Sequence, residues 1–204
     1  MSISTQVALK HFKQTDLLMY KLLKTALAKS APITIPVPLK PEEYFSRIVR
    51  SIISQQISVK AAAAVRGRVE IVDGEITPEA ILAVPEEVLK ACGLSGQKTK
   101  YIRHNAGVWR KTPYEDFAHM EDQAVIIELT KLYGIGRWTA EMFLMFSLAR
   151  PDVFSYSDLG LMQGLYEAYG YKPHYVRKIK ATVDNWAPHR TLASLSLWQV
   201  KDGE

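Results

Sequence analysis

Between Glu128 and Asp158 the chain reads ELTKLYGIGRWTAEMFLMFSLARPDVFSYSD, and two kinds of chemistry are latent in it. Gly134 and Gly136 flank one apolar residue, Ile135, between two amphipathic helical patterns. That spacing allows close backbone approach and unusual φ. The second pattern begins at Arg137, so the amides and dipole at its start favour an anion beside the glycines. A nucleic-acid phosphate suits such a seat, and the contact is sequence-independent. A bare Gly-Ile-Gly, however, more often marks a corner where glycines serve packing only. Asp158 carries the second chemistry. An aspartate just before an apolar helical run is most often an N-cap. Partly buried and facing a cationic transition state, the same carboxylate can stabilise positive charge and orient a water without becoming a covalent nucleophile. Ser157 can share the cap, so both roles stay open.

Aromatic and basic residues surround this stretch. A base turned out of its stack is read largely by stacking, and Trp138, Trp198 and Tyr156 offer the faces. Core packing is the competing role for each, and Trp109 and Trp186 are assigned to it. Arg47, Arg50, Lys60, Arg66, Lys98, Lys100 and Arg137 can track phosphates, although most are more simply solvated helix faces.

The elements that must position these groups are helices. Residues 1 to 30 read as one amphipathic helix, with Asp16 as an N-cap before Leu17, Leu18 and Leu22. In residues 31–40, Pro32, Pro36 and Pro38 interrupt an alternating pattern, which predicts an extended linker rather than a central strand. Pro41 opens a helix whose buried face is Phe45, Ile48, Val49, Ile52 and Ile53. Ser54-Gln55-Gln56 breaks it, and Ser58 caps an Ala-rich helix. Thr77-Pro78 and Pro85-Glu86 start two more, and Gly93 stops one. A short turn, GLSGQK, feeds a helix bearing Tyr101, Ile102, Asn105 and Trp109. Further helices are predicted over 122–132, 137–148, 159–169, 173–186 and 188–198. No strand pair is convincing, so the expected fold is all-α.

Composition limits the function. At 204 residues with 48% hydrophobic and 23% charged residues, the chain can bury a core and build one domain or two small lobes. A formal charge of +5 and a pI near 9.2 are compatible with anionic partners. Cys92 is the single cysteine, which excludes an intrachain disulfide, a cysteine-ligated zinc and an iron–sulfur cluster. The five histidines show no metal-ligand spacing. Neither a signal-type leader nor a membrane-length apolar run is present, so the expected location is intracellular: cytoplasm and nucleoid, or nucleus.

Four segments together resemble the helix-hairpin-helix (HhH-GPD) DNA glycosylase superfamily over about Tyr44 to Gln199. They are SIISQQISVKAA, GLSGQK, LYGIGRWTA followed by DVFSYSD, and NWAPHRTLASLSLW. Their order and separation are far more specific than any one alone. The branch most similar is 3-methyladenine-DNA glycosylase II, in a compact form without the extra N-terminal β-domain. The resemblance implies two helical lobes flanking a cleft, one from 1–42 with 151–204 and one from 43–150. It implies that Asp158 is catalytic and that Trp138, Trp198, Tyr156, Met142 and Gln55 line the base pocket. Gln56 matches the wedge inserted where a nucleotide is flipped. Gly134, Gly136, Arg137, Thr139, Ser58, Ser95, Gly96 and Lys98 match contacts to the DNA backbone. The carbonyls of Thr130, Leu132 and Ile135 match a site for a monovalent cation, Na+ or K+, with no cofactor required for the chemistry.

Trp138 stands where bifunctional relatives carry a Schiff-base lysine, which implies hydrolysis without strand cleavage. Met142 replaces an aromatic pocket residue and Tyr133 the proline usual before the hairpin glycine. The implied activity is excision of alkylated purines, 3-methyladenine and 7-methylguanine, from double-stranded DNA by a monomer. Alternatives are a same-fold glycosylase for etheno, deaminated, oxidised or mismatched bases, and a non-catalytic module that binds damaged DNA.

Overall fold

The computed structural model describes residues 3–29, 33 and 35–201; Pro32 of the linker lies outside them. Among the described residues, twelve α-helices and two single 3₁₀ turns account for the regular structure, and no strand forms. The chain divides into two units, Pro38–Phe143, and Met1–Val37 with Leu144–Glu204.

The expectation of one helix over residues 1 to 30 is corrected. Helix α1 spans Ile3–Thr15 and α2 spans Leu17–Ala28. Asp16 between them is extended, with φ −155°, and its Oδ1 accepts the Met19 amide at 3.0 Å. A capping bond of this kind competes with continuation of the preceding helix. Its Oδ2 accepts the Tyr169 hydroxyl at 2.7 Å and the Trp186 indole N–H at 2.9 Å, so tertiary structure fixes the break. Residues 33 and 35–40 form no helix or strand.

The central unit holds α3 (Pro41–Ser54), α4 (Val59–Asp73), α5 (Pro78–Ala83), α6 (Glu86–Ala91), α7 (Gly96–Val108) and α8 (Asp122–Thr130). Most of α9 (Arg137–Phe146) belongs to it, and the 3₁₀ turns lie at Trp109–Lys111 and Tyr114–Asp116. Pro41 sits in the first turn of α3, where its missing N–H costs nothing. The Glu43 carboxylate accepts the Lys40 amide at 2.8 Å. The apolar stripe of α3 is buried as its spacing requires. Tyr44 meets Phe117 and Phe143, and Phe45 meets Trp109 edge-on at 5.3 Å. Helix α7 packs on α3, α5 and α6.

The terminal unit is built on α12 (Arg190–Lys201), which packs against α10 (Leu159–Tyr169) and α2. Phe12, Met19, Leu23, Leu161, Leu165, Trp186 and Leu197 are core residues there. Helix α11 (Val176–Asp184) starts three residues later than its pattern suggests, because the Tyr175 amide closes a turn on the Lys172 carbonyl. Helix α12 likewise starts at Arg190, after the His189 amide turns onto the Trp186 carbonyl at 2.7 Å. Where α10 passes α12, Gly164 is buried and a Cβ there would collide with the Leu197 carbonyl. Close approach of the two backbones therefore demands glycine.

Candidate nucleic-acid interface and catalytic carboxylate

Helix α8 ends at Thr130, and the chain turns through Ile135 before α9 begins at Arg137. The amides of Leu132 and Ile135 close successive turns on the carbonyls of Leu129 and Leu132. Gly134 sits at φ +77°, and a Cβ there would lie 2.6 Å from the Tyr101 ring. Gly136 has neither constraint. The conformational demand on the hairpin is thus concentrated in one of the two glycines.

Two side chains, Asn105 and Gln55, hold this turn, and a third, Lys98, braces the segment that carries Gln55. Asn105 of α7 is wholly buried; its Oδ1 accepts the Tyr133 amide at 2.8 Å and its Nδ2 donates to the Tyr133 carbonyl at 2.9 Å. The side-chain amide of Gln55 donates to the Gly134 carbonyl at 2.8 Å. Lys98 donates to the carbonyls of Ile53 and Gln55 at 2.8 and 2.7 Å, closing the C-terminal end of α3. Burial lowers the Lys98 ammonium from its ordinary range. Gln55 and Lys98 are therefore tied to the hairpin and its support. Asn105 was visible in the sequence only as a polar residue between Ile102 and Trp109 on one helix.

Ser58 and Ser95 cap α4 and α7, accepting the amides of Ala61 and Lys98 at 3.2 Å, and Gly96 is the first residue of α7. With the start of α9, three helix N-termini of this unit carry the residues assigned to the DNA backbone. Gln56, exposed beside them, adopts φ +59°, a left-handed conformation that is rare for a residue with a side chain. A shallow pocket of about 200 Å³ lies here, lined in part by Gln55, Gln56, Ile57, Ser95 and Lys98. On α9, Arg137 pairs with the buried Glu141 at 2.8 Å, Thr139 is buried, and Trp138 is 45% exposed. Met142, half-buried, follows Trp138 by one helical turn and shares its face.

In the terminal unit Asp158 is the N-cap of α10 and is 8% exposed. One oxygen, Oδ1, accepts both the Leu161 amide at 2.6 Å and the Trp198 indole N–H at 3.1 Å. One carboxylate thus serves as helix cap, lies buried and accepts a side-chain donor from a distant helix. Ser157 is not the cap and pairs with the Ser155 hydroxyl at 3.2 Å. The Trp198 ring stacks on Phe146, with centroids 5.9 Å apart, and its N–H reaches the aspartate. Tyr156 is half-exposed and meets Phe154 edge-on at 4.9 Å; burial raises its phenol above the ordinary range.

The loop leading to Asp158 is stapled to the start of α12. Asp152 makes a bidentate pair with Arg190, both contacts 2.7 Å, and its Oδ1 also accepts the Arg190 amide. Burial alone would raise the Asp152 carboxyl, but the Arg190 hydrogen bonds outweigh it and leave the group below its usual range. Thr191 donates to the Arg150 carbonyl and accepts the Val153 amide, and Ser194 donates to the Val153 carbonyl. Helix α12 therefore fixes the loop with its first turn and Asp158 itself through Trp198. Asp152, Arg190 and Thr191 lay inside the motif segments but had no assigned role. Among the described residues no cluster of His, Cys, Asp or Glu could hold a metal ion, and no helix is long and apolar enough to cross a membrane.

Comparisons with known proteins identify the family and the fold. The family model for the HhH-GPD superfamily of base excision DNA repair proteins matches residues 49–189. DNA-3-methyladenine glycosylase 1 of Schizosaccharomyces pombe is 33% identical over 79% of this chain and 74% of its own length. A crystal structure of DNA-3-methyladenine glycosidase from Bacillus halodurans superposes with TM-score 0.82 at 34% identity, covering 95% of this chain and 88% of the other. The Schizosaccharomyces pombe 3-methyladenine DNA glycosylase in complex with abasic DNA superposes with TM-score 0.75 at 30% identity, covering 94% and 95%. The hairpin, the capped aspartate and the chain's overall match agree: this chain belongs to the HhH-GPD superfamily of base excision DNA repair proteins.

Proposed function

We propose that the chain is a monofunctional DNA N-glycosylase that excises alkylated purines, 3-methyladenine and 7-methylguanine, and leaves an abasic site in an unbroken strand. The observation that carries this reading is Asp158: a buried carboxylate whose Oδ1 is fixed by two N–H donors, one from the helix it caps and one from Trp198. Relatives named as 3-methyladenine glycosylases, and one bound to abasic DNA, support the substrate class.

A purine alkylated at N3 or N7 is cationic, so the bond from C1′ to the base nitrogen breaks with its electron pair leaving on the base, which departs neutral. Positive charge moves to the deoxyribose, and the Asp158 carboxylate stabilises it. Water adds at C1′ and releases a proton. No strong general acid is needed for a leaving group that is already activated. Stacking on indole favours a cationic base, the part proposed for Trp138 and Trp198. Trp138 in place of a lysine leaves that position without a Schiff-base nucleophile, so strand cleavage is not expected. The hairpin amides and the α4 and α7 N-termini hold phosphates, and Gln56 fills the gap left by the flipped nucleotide.

No cofactor enters this chemistry. A monovalent cation, Na+ or K+, fits the carbonyls of Thr130, Leu132 and Ile135, because Thr130 ends α8 and the other two follow it, where carbonyl dipoles favour positive charge. The Leu132 carbonyl also accepts the Ile135 amide, which leaves it a second lone pair. Such an ion would reinforce phosphate binding at the hairpin.

The test is base release from methylated duplex DNA by wild type and Asp158→Asn, with a panel of alkylated, etheno and deaminated bases. Wild type should release 3-methyladenine without nicking, and the variant should bind DNA but release nothing. Release by the variant at the wild-type rate would remove Asp158 from catalysis, and a nick formed without alkali would overturn the monofunctional assignment.

A further inference from the structure

The formal charge of the chain is unevenly placed. Residues 168–183 contain Lys172, Arg177, Lys178 and Lys180 and no aspartate or glutamate, so this stretch alone contributes +4 of the total +5. All four cations are exposed, as are His174 and Tyr175, while Ile179 and Val183 of the same helix face the core. None of the four forms an ion pair among the described residues. Lys178 lies 4.7 Å from the centre of the Tyr171 ring, a contact that keeps its charge at the surface. His174, Tyr175, Val176, Arg177 and Lys178 line an open groove of about 600 Å³.

Helix α11 is also charged against its own stability. Its first turn has no acidic residue and its last turn no basic one, while Arg177 and Lys178 occupy the first turn, at the positive end of the dipole. Mutual repulsion and dipole repulsion are both relieved when an anionic polymer lies across the cluster. Exposed Tyr175 and Val176 add apolar surface beside the cations.

We propose that the surface formed by residues 172–180 is a second, sequence-independent contact for the phosphate backbone of duplex DNA, carried by the terminal unit and additional to the hairpin of the central unit. It rests on membership of a DNA-repair family and not on the chemistry assigned to Asp158. A contact of this kind anchors duplex and sets the salt dependence of binding without touching the reacting base.

The experiment uses the full chain carrying Lys172→Ser, Arg177→Ser, Lys178→Ser and Lys180→Ser together, with a charge-keeping control of Lys172→Arg, Arg177→Lys, Lys178→Arg and Lys180→Arg. Affinity for a duplex with an abasic-site analogue is measured across a salt series, and base release is measured in single turnover at saturating protein. Each phosphate contact contributes about 0.9 to the slope of log affinity against log salt, so losing two to four contacts should flatten it by roughly 2–4. Affinity near 0.1 M salt should fall by roughly 10–100-fold. The single-turnover rate should stay at the wild-type value, and the control should keep the wild-type slope. An unchanged slope in the serine variant, or an equal flattening in the control, would overturn the proposal. So would weakened binding of polyglutamate with unchanged duplex affinity, which would assign the surface to an acidic protein. Asp158→Asn keeps the patch and should retain the wild-type slope, so failure of the catalytic reading is distinguishable from failure of this one.

Discussion

Asn105→Asp isolates the clamp on the hairpin. The substitution changes one atom: the acceptor of the Tyr133 amide is kept, and the Nδ2 that donates to the Tyr133 carbonyl becomes an oxygen. Position 105 is wholly buried, so an ionised carboxylate there would face a carbonyl oxygen with no solvent to screen it. Protonation restores a donor toward that carbonyl. The folded-state pKa of the new carboxyl should therefore rise above its unfolded value of about 3.9, by roughly 2–3 units. At 1.36 kcal/mol per unit this amounts to about 3–4 kcal/mol of lost stability.

The folded state binds more protons than the unfolded state between the two pKa values, so the variant's stability falls as pH rises through that window and then levels off. Urea unfolding of variant and wild type should differ by about 3–4 kcal/mol at pH 8 and by about half of that at pH 5. Affinity for an abasic-site duplex should recover in the same acid direction, because the hairpin amides are ordered by the same clamp. An equal loss at both pH values, or one under about 0.5 kcal/mol at pH 8, would refute the two-point hold on Tyr133.

Trp198→Phe removes the indole donor to Asp158 and keeps a ring against Phe146. A charge-assisted hydrogen bond of about 1.5–3 kcal/mol predicts a roughly 10–100-fold slower single-turnover release, with little change in DNA affinity. Gly164→Ala places a methyl against the Leu197 carbonyl and should cost about 1–3 kcal/mol, lowering Tm by roughly 3–10 °C in a thermal melt. Asp152 is held below its usual range by Arg190, so its stabilisation is present above the unfolded pKa and is lost as pH falls through the folded one. Asp152→Asn should be less stable at neutral pH and should lack that part of the acid-induced decline, as read from unfolding curves between about pH 3 and 7.

Features that depend on neighbours in the chain were legible in the sequence. Ser58, Thr77 and Asp158 stand at the starts of the helices they cap, and the stripe from Phe45 to Ile53 is buried, because caps and helical periodicity act within a few residues. The four ordered motifs likewise sufficed to identify the family. The single helix expected over residues 1 to 30 went wrong because apolar periodicity continues across Asp16, while the side chain of that residue, held by Tyr169 and Trp186, breaks it.

Only the tertiary structure decided how the site is held. The partners of Asn105, Gln55 and Lys98 are backbone groups 28, 79 and 43 to 45 residues away. Trp198 meets Asp158 across 40 residues, and Arg190 meets Asp152 across 38. No local propensity encodes such pairs. They exist because burial removes water from polar groups and leaves whichever distant donor or acceptor the packing supplies to replace it.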